Sequence, residues 1–209
     1  MKLTACTLAL AAALFASCSS VKYGDPNAVE TVNIDFGSTD LQTLAAHMVQ
    51  SMVVSPNLAY YDHSGKGEDK RIIVFAAGIN NRTSEHIDTG GIEDSIRTSL
   101  LQSGKFRLAA SNQGQDALGE QVRFQQGSGR VDPDQARAFG KQIGADMVLY
   151  GNLRSIEKGR RRSLESGGVK TEDVFYQFNL ELTNIETGEV VWADQKDIRK
   201  TKKTGLFGS

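Results

Sequence analysis

Arg71-Ile72-Ile73-Val74-Phe75-Ala76-Ala77 is an apolar run of strand length that Gly78 and Asn80-Asn81 bring to a stop. A strand with no polar alternation is buried on both faces, so this one belongs in the middle of a sheet. On its N-terminal side, Thr39-Asp40 suits a helix cap, and Leu41, Leu44, Ala45, Met48 and Met52 follow the spacing of one buried helical face that ends before Pro56. On its C-terminal side, a second helix opens at Thr89, carries Ile92, Ile96 and Leu100 on one stripe and ends at Gly104, ahead of a short strand over 106–110. Strand, helix and strand thus follow one another closely.

Further along, 112–130 holds Gly114, Gly119, Gly127, Gly129 and many glutamines, which predicts a poorly packed helix or a loop. Asp132-Pro133 suits a helix start, with Ala136, Phe139 and Ile143 facing inward as far as Gly144. Met147-Val148-Leu149-Tyr150 begins a strand, and a loop is expected over 159–171. Residues 174–185 alternate in the strand manner, turn at Glu186-Thr187-Gly188 and return through Val190-Val191-Trp192-Ala193. The expected architecture is α/β of the α+β type: a mixed, largely antiparallel sheet covered by helices, with the C-terminal third a β meander.

The N-terminus carries a different kind of signal. Met1-Lys2 precede an uncharged run over 3–16, and Ala16-Ser17 lead into Cys18. A basic start, a short apolar core and small residues before a cleavage point form a secretory signal, and the core is too short to span a bilayer. Leu14-Phe15-Ala16-Ser17-Cys18 resembles a bacterial lipobox, apart from Phe15 where Leu is usual. The resemblance implies that the Cys18 sulfur takes a diacylglycerol and that Cys18 becomes the new N-terminus. Ser19 stands where an Asp signals inner-membrane retention in such lipoproteins, which points to the outer membrane with the domain facing the periplasm. The division expected is 1–17 signal peptide, 18–29 lipidated N-terminus and short tether, 30–203 single globular domain and 204–209 tail.

Bulk composition excludes several chemistries. Lys plus Arg total 24 against 25 Asp plus Glu, so no overall field draws in nucleic acid. Cys6 lies in the signal and Cys18 is the lipidation residue, which leaves no thiol for a disulfide, a metal or a nucleophile. His47, His63 and His86 lack ligand spacing, and no nucleotide loop, nucleophile elbow or acid–base constellation is present. Gly90-Gly91 before a helix offers backbone N–H groups to an anion, although the plainer role is a turn. A catalytic site and a cofactor are therefore not expected.

Two basic clusters stand out: Lys158 with Arg160, Arg161 and Arg162 in the loop before the meander, and Lys196, Arg199, Lys200, Lys202 and Lys203 near the C-terminus. They suit an acidic protein surface, anionic headgroups or wall polymer, and equally suit solvated charge on a hairpin tip and a frayed tail.

Five segments, in order, resemble the LpoB family of outer-membrane lipoproteins that activate penicillin-binding proteins: Asp35-Phe36-Gly37-Ser38-Thr39-Asp40-Leu41, Asn80-Asn81-Arg82-Thr83, Ser103-Gly104-Lys105-Phe106, Ile143-Gly144-Ala145-Asp146-Met147-Val148-Leu149-Tyr150 and Thr187-Gly188-Glu189-Val190-Val191-Trp192. The resemblance implies a domain similar to the N-terminal domain of TolB, monomeric and without catalysis, that docks on a bifunctional class A penicillin-binding protein and stimulates peptidoglycan synthesis. Asn80, Asn81, Arg82, Thr83, Tyr150, Arg160, Arg161 and Arg162 are the contact residues to test. The alternative is a structural or assembly subunit of an envelope complex, similar to the curli secretion lipoprotein CsgG. One departure is the tether, about a dozen residues with one Pro, where family activators carry a long Pro-rich one.

Overall fold

In the computed structural model, which describes residues 24–30, 33–64, 66–130, 144–161 and 168–205, the apolar run is β1, Ile72–Arg82. It lies inside a five-stranded sheet of order β2-β1-β3-β4-β5, where β2 is Phe106–Leu108, β3 Met147–Arg160, β4 Lys170–Asn184 and β5 Val190–Thr204. β1 pairs in parallel with β2 and β3, while β3, β4 and β5 form antiparallel hairpins. The mixed sheet expected from the sequence is borne out, its longest ladders being the antiparallel ones.

Four strands run further than the sequence suggested. β1 passes through Gly78 rather than stopping there: Gly78 takes φ 108°, and the register with β3 shifts between Ala76 and Gly78. A glycine bulge of this kind bends a strand and lets pairing resume. Asn80, Asn81 and Arg82 are therefore strand residues and not a loop. At the far end β3 and β4 continue to Arg160↔Thr171, so Gly159, Arg160, Lys170 and Thr171, at the two ends of the loop predicted over 159–171, are strand residues. β5 is paired as far as Thr204, and the basic segment taken as a frayed tail is ordered strand.

Helix α1, Ser38–Val54, and helix α2, Thr89–Gln102, cover one face. The N-cap of α1 is Gly37, two to three residues earlier than a Thr39-Asp40 cap would set it; Asp40 reaches back to accept from the Gly37 N–H at 2.8 Å. Leu44, Met48 and Met52 of α1 and Ile92, Ile96 and Leu100 of α2 are all essentially inaccessible to solvent. They meet Val74, Met147, Leu153, Tyr176, Phe178 and Leu180 from the sheet. Burial of a side chain of this size contributes roughly 1.5–3 kcal/mol, so these two stripes carry much of the fold's stability. Helix α3, Asn112–Gly127, is capped by the Ser111 hydroxyl, which accepts from Gly114 N–H at 3.2 Å, but only Gly119 of it is buried. It is the loosely packed helix that its glycines implied. The helix expected from Asp132, together with the signal segment, Cys18 and Arg162, lies outside the described residues.

Candidate docking surface

Alternation divides the three long strands into a helix side and an opposite side. On β4, Val174, Tyr176, Phe178, Leu180 and Leu182 are buried toward the helices, which sends Phe175, Gln177, Asn179 and Glu181 the other way. Register carries the pattern across neighbours and builds rows: Gly78, Tyr150, Glu181 and Ala193; Asn80, Asn152, Asn179 and Gln195; Arg82, Arg154, Gln177 and Asp197. Below them Ile156, Phe175 and Arg199 form a further row, then Lys158, Asp173 and Thr201, then Arg160, Thr171 and Lys203.

Of the candidate residues, Asn80, Arg82, Tyr150 and Arg160 therefore fall on one surface, with differing roles. Tyr150, 36% exposed, donates its hydroxyl to Glu181 Oε2 at 2.7 Å. That hydrogen bond to the carboxylate, ahead of burial, raises the phenol above its ordinary pKa, so Tyr150 is a neutral, fixed ring. Arg82 and Arg154 are exposed register partners on parallel strands about 4.8 Å apart. Among the described residues neither makes an ion pair. Two uncompensated guanidiniums side by side destabilise the free protein slightly and favour an acidic partner.

Asn81 and Thr83 have a different task. The Asn81 amide donates to the carbonyls of Glu85 at 2.9 Å and Ile87 at 3.3 Å, and its oxygen accepts from Thr83 N–H and Oγ1 at 2.9 and 2.7 Å. Both residues are occupied in holding the turn that leads to α2. Arg160 and Arg161 are exposed at the end of the hairpin. Sequence reasoning missed Arg154 and Ile156, the latter 56% exposed beside Phe175. Following the period-2 alternation onward from Tyr150 would have placed Arg154, Ile156 and Lys158 on its face.

Other candidate chemistries meet ordinary partners. Asp88 Oδ1 accepts from Gly90 N–H at 3.0 Å and caps α2, so that helix start already holds a carboxylate. His47 pairs with Asp194 at 3.1 Å, and His63 packs edge-on against Tyr61. Among the described residues no three His, Cys, Asp or Glu side chains gather as metal ligands, and no helix is long and apolar enough to cross a membrane.

Comparison with known proteins supplies the family. A family model described as peptidoglycan-synthase activator LpoB matches residues 40–198. The penicillin-binding protein activator LpoB of Enterobacter sp. (strain 638) is 24% identical over 162 residues, covering 70% of this chain and 66% of that protein. Its counterpart from Klebsiella pneumoniae is 24% identical over 166 residues, covering 72% and 68% respectively. The chain thus spans about two thirds of the length of these relatives. The C-terminal domain of LpoB from Escherichia coli aligns with a TM-score of 0.40 at 16% identity, over 76% of this chain and 98% of that domain. By the match over 40–198, which takes in α1, α2 and most of the sheet, this chain belongs to the peptidoglycan-synthase activator LpoB family.

Proposed function

We propose that this protein is a non-catalytic lipoprotein, anchored in the outer membrane through Cys18, that binds a bifunctional class A penicillin-binding protein and activates its synthesis of peptidoglycan. The observation that carries this reading is the family match over residues 40–198. Curated relatives bear the name penicillin-binding protein activator. The open face of the sheet is the proposed contact, with Arg82, Arg154, Arg160, Arg161 and Arg162 meeting acidic groups and Tyr150 and Ile156 filling the apolar part. Activation then comes from differential affinity: the surface binds the active conformation of the synthase more tightly and shifts the equilibrium by that difference.

The tether sets a geometric condition. Twelve residues over 18–29, fully stretched, reach on the order of 40 Å. The synthase must therefore extend toward the membrane that holds the lipid, since this chain has little length with which to search for it.

The test is glycan polymerisation and cross-linking by a purified class A synthase, with and without the full chain in detergent. Stimulation that is lost when Arg160, Arg161 and Arg162 are all changed to Glu supports both the function and the surface. No stimulation by the unaltered chain overturns the function; stimulation unaffected by the reversals removes that patch from the contact. Mass spectrometry of native material tests the anchor, and an unacylated N-terminus overturns it.

A further inference from the structure

The far edge of the sheet, away from β2, is formed by β5, fifteen residues long and paired only with β4 among the described residues. Its outer backbone N–H and C=O groups make no backbone hydrogen bond to any other described segment. An open edge of this length is a template for another strand, and proteins ordinarily shorten, cover or charge such edges. This one is charged and not short, and among the described residues no backbone segment pairs with its outer side. Lys196, Arg199, Lys200, Lys202 and Lys203 lie along it against Asp194 and Asp197; Lys200 is taken up by Asp40 and the Asp35 carbonyl, and Lys202 lies opposite Glu172 of β4. Beside the C-terminal half runs a groove whose walls include Val29, Ile34 and Ile198, an apolar lining within reach of one face of an added strand.

We infer that the β5 edge accepts an extended acidic peptide segment of a partner protein by strand addition. Two features select that occupant. An unpaired backbone ladder is satisfied by another extended peptide, which a lipid headgroup or a glycan cannot imitate residue by residue. The cations then choose among peptides, favouring carboxylates on the side of Arg199 and Lys203 and apolar residues on the side of Ile198. A second copy of the chain is disfavoured on the same ground, because β5 against β5 sets these cations against one another. The charges that protect the edge from general aggregation thus become its specificity. The edge's outer backbone ladder is distinct from the open sheet face, although Arg199 and Lys203 belong to rows of that face, and the inference holds whichever synthase, if any, that face binds.

The probe is a fluorescent peptide of about ten alternating Glu and Val residues, added to the full chain in detergent. Saturable, salt-sensitive binding is expected, with hydrogen exchange slowed across 190–204 and not on β2. N-methylation of alternate peptide amides keeps every charge while removing one edge of hydrogen bonds, and should weaken binding about tenfold or more. Arg199→Glu and Lys203→Glu together should weaken it by a similar factor. Equal binding of the methylated peptide would reduce the effect to charge alone and overturn the proposal, with no dependence on how well the variant folds. Absence of protection on β5, or equal protection by phosphatidylglycerol vesicles without peptide, overturns it as well.

Discussion

Tyr176 of β4 donates its hydroxyl to the Glu85 carboxylate, tying the centre of the sheet to the turn between β1 and α2. Glu85 also accepts from Phe36 N–H at 2.9 Å, and the Phe36 ring meets Tyr176 edge-on with centroids 5.5 Å apart. One carboxylate therefore joins the strand, the turn and the segment that leads into α1. Burial, and then the hydrogen bond to Glu85, push the phenol far above its ordinary pKa. Tyr176→Phe removes one donor and leaves the ring. It should lower stability by about 1–2 kcal/mol in urea unfolding. An unchanged midpoint would mean that water replaces the hydroxyl without loss.

Asp146 plays a comparable part at the base of the sheet. Its carboxylate accepts from Lys66 and from Ile73 N–H, the latter at 2.6 Å. Burial works to raise its pKa, but those hydrogen bonds outweigh burial and hold it below the usual 3.8. A depressed carboxylate contributes stability that is fully present above the unfolded pKa and lost as pH falls through the folded one. Unfolding free energy should therefore decline from about pH 5 toward about pH 2, and Asp146→Asn should flatten that limb. The same change should remove about 1–3 kcal/mol at neutral pH. Equal slopes for the two proteins would show that Asp146 is not the titrating group.

Gly151 of β3 lies opposite Leu180 of β4. A Cβ there would lie 2.7 Å from the Asn179 carbonyl oxygen and 2.9 Å from Leu180 Cδ1. Because the first neighbour is backbone, relief requires the strands to part. Gly151→Ala should cost about 1–3 kcal/mol in thermal or denaturant unfolding, despite the gain in strand propensity. Stabilisation by this substitution would contradict the close approach.

Substitutions in the segment 80–83 should divide by sign. Arg82→Gln relieves a like-charge neighbour of Arg154, so it should leave stability unchanged or raise it by a few tenths of a kcal/mol while weakening synthase binding. Asn81→Ala releases the turn into α2 and should destabilise by about 1–2 kcal/mol. Paired melting and binding measurements check both, and equal destabilisation by the two would erase the distinction between contact and scaffold.

Helix faces and the meander were readable because burial imposes a period: Leu44, Met48 and Met52 recur at helical spacing, and Val174, Tyr176 and Phe178 at strand spacing. The ends of strands were less readable. Gly78 resembles a terminator by composition and acts as a bulge, a difference that depends on whether β3 is present to resume pairing. The cations from Lys196 to Lys203 resemble a solvated tail because an edge strand needs no apolar alternation on its exposed side, and pairing with β4 alone makes them strand. The candidate surface was half legible: Arg82, Tyr150 and Arg160 were found in separate segments, whereas their common face follows from long-range register. The scaffold role of Asn81 and Thr83 was not legible, because side chains that bond a nearby turn look, in sequence, like free polar groups.

The parallel join of β1 to β3 also has a kinetic side. β3, β4 and β5 are sequential hairpins whose contacts close over short loops, while β1 must find β3 across α2, β2 and α3. Synthesis proceeds from the N-terminus, so Leu44, Met48, Ile92 and Ile96 are made well before Phe178 and Leu180 exist to receive them. Until the last hairpin arrives, the two helices present greasy stripes to any holdase nearby. Ribosomal stalling before residue 170 would leave a species prone to clump, and one that the missing segment 170–209 would rescue.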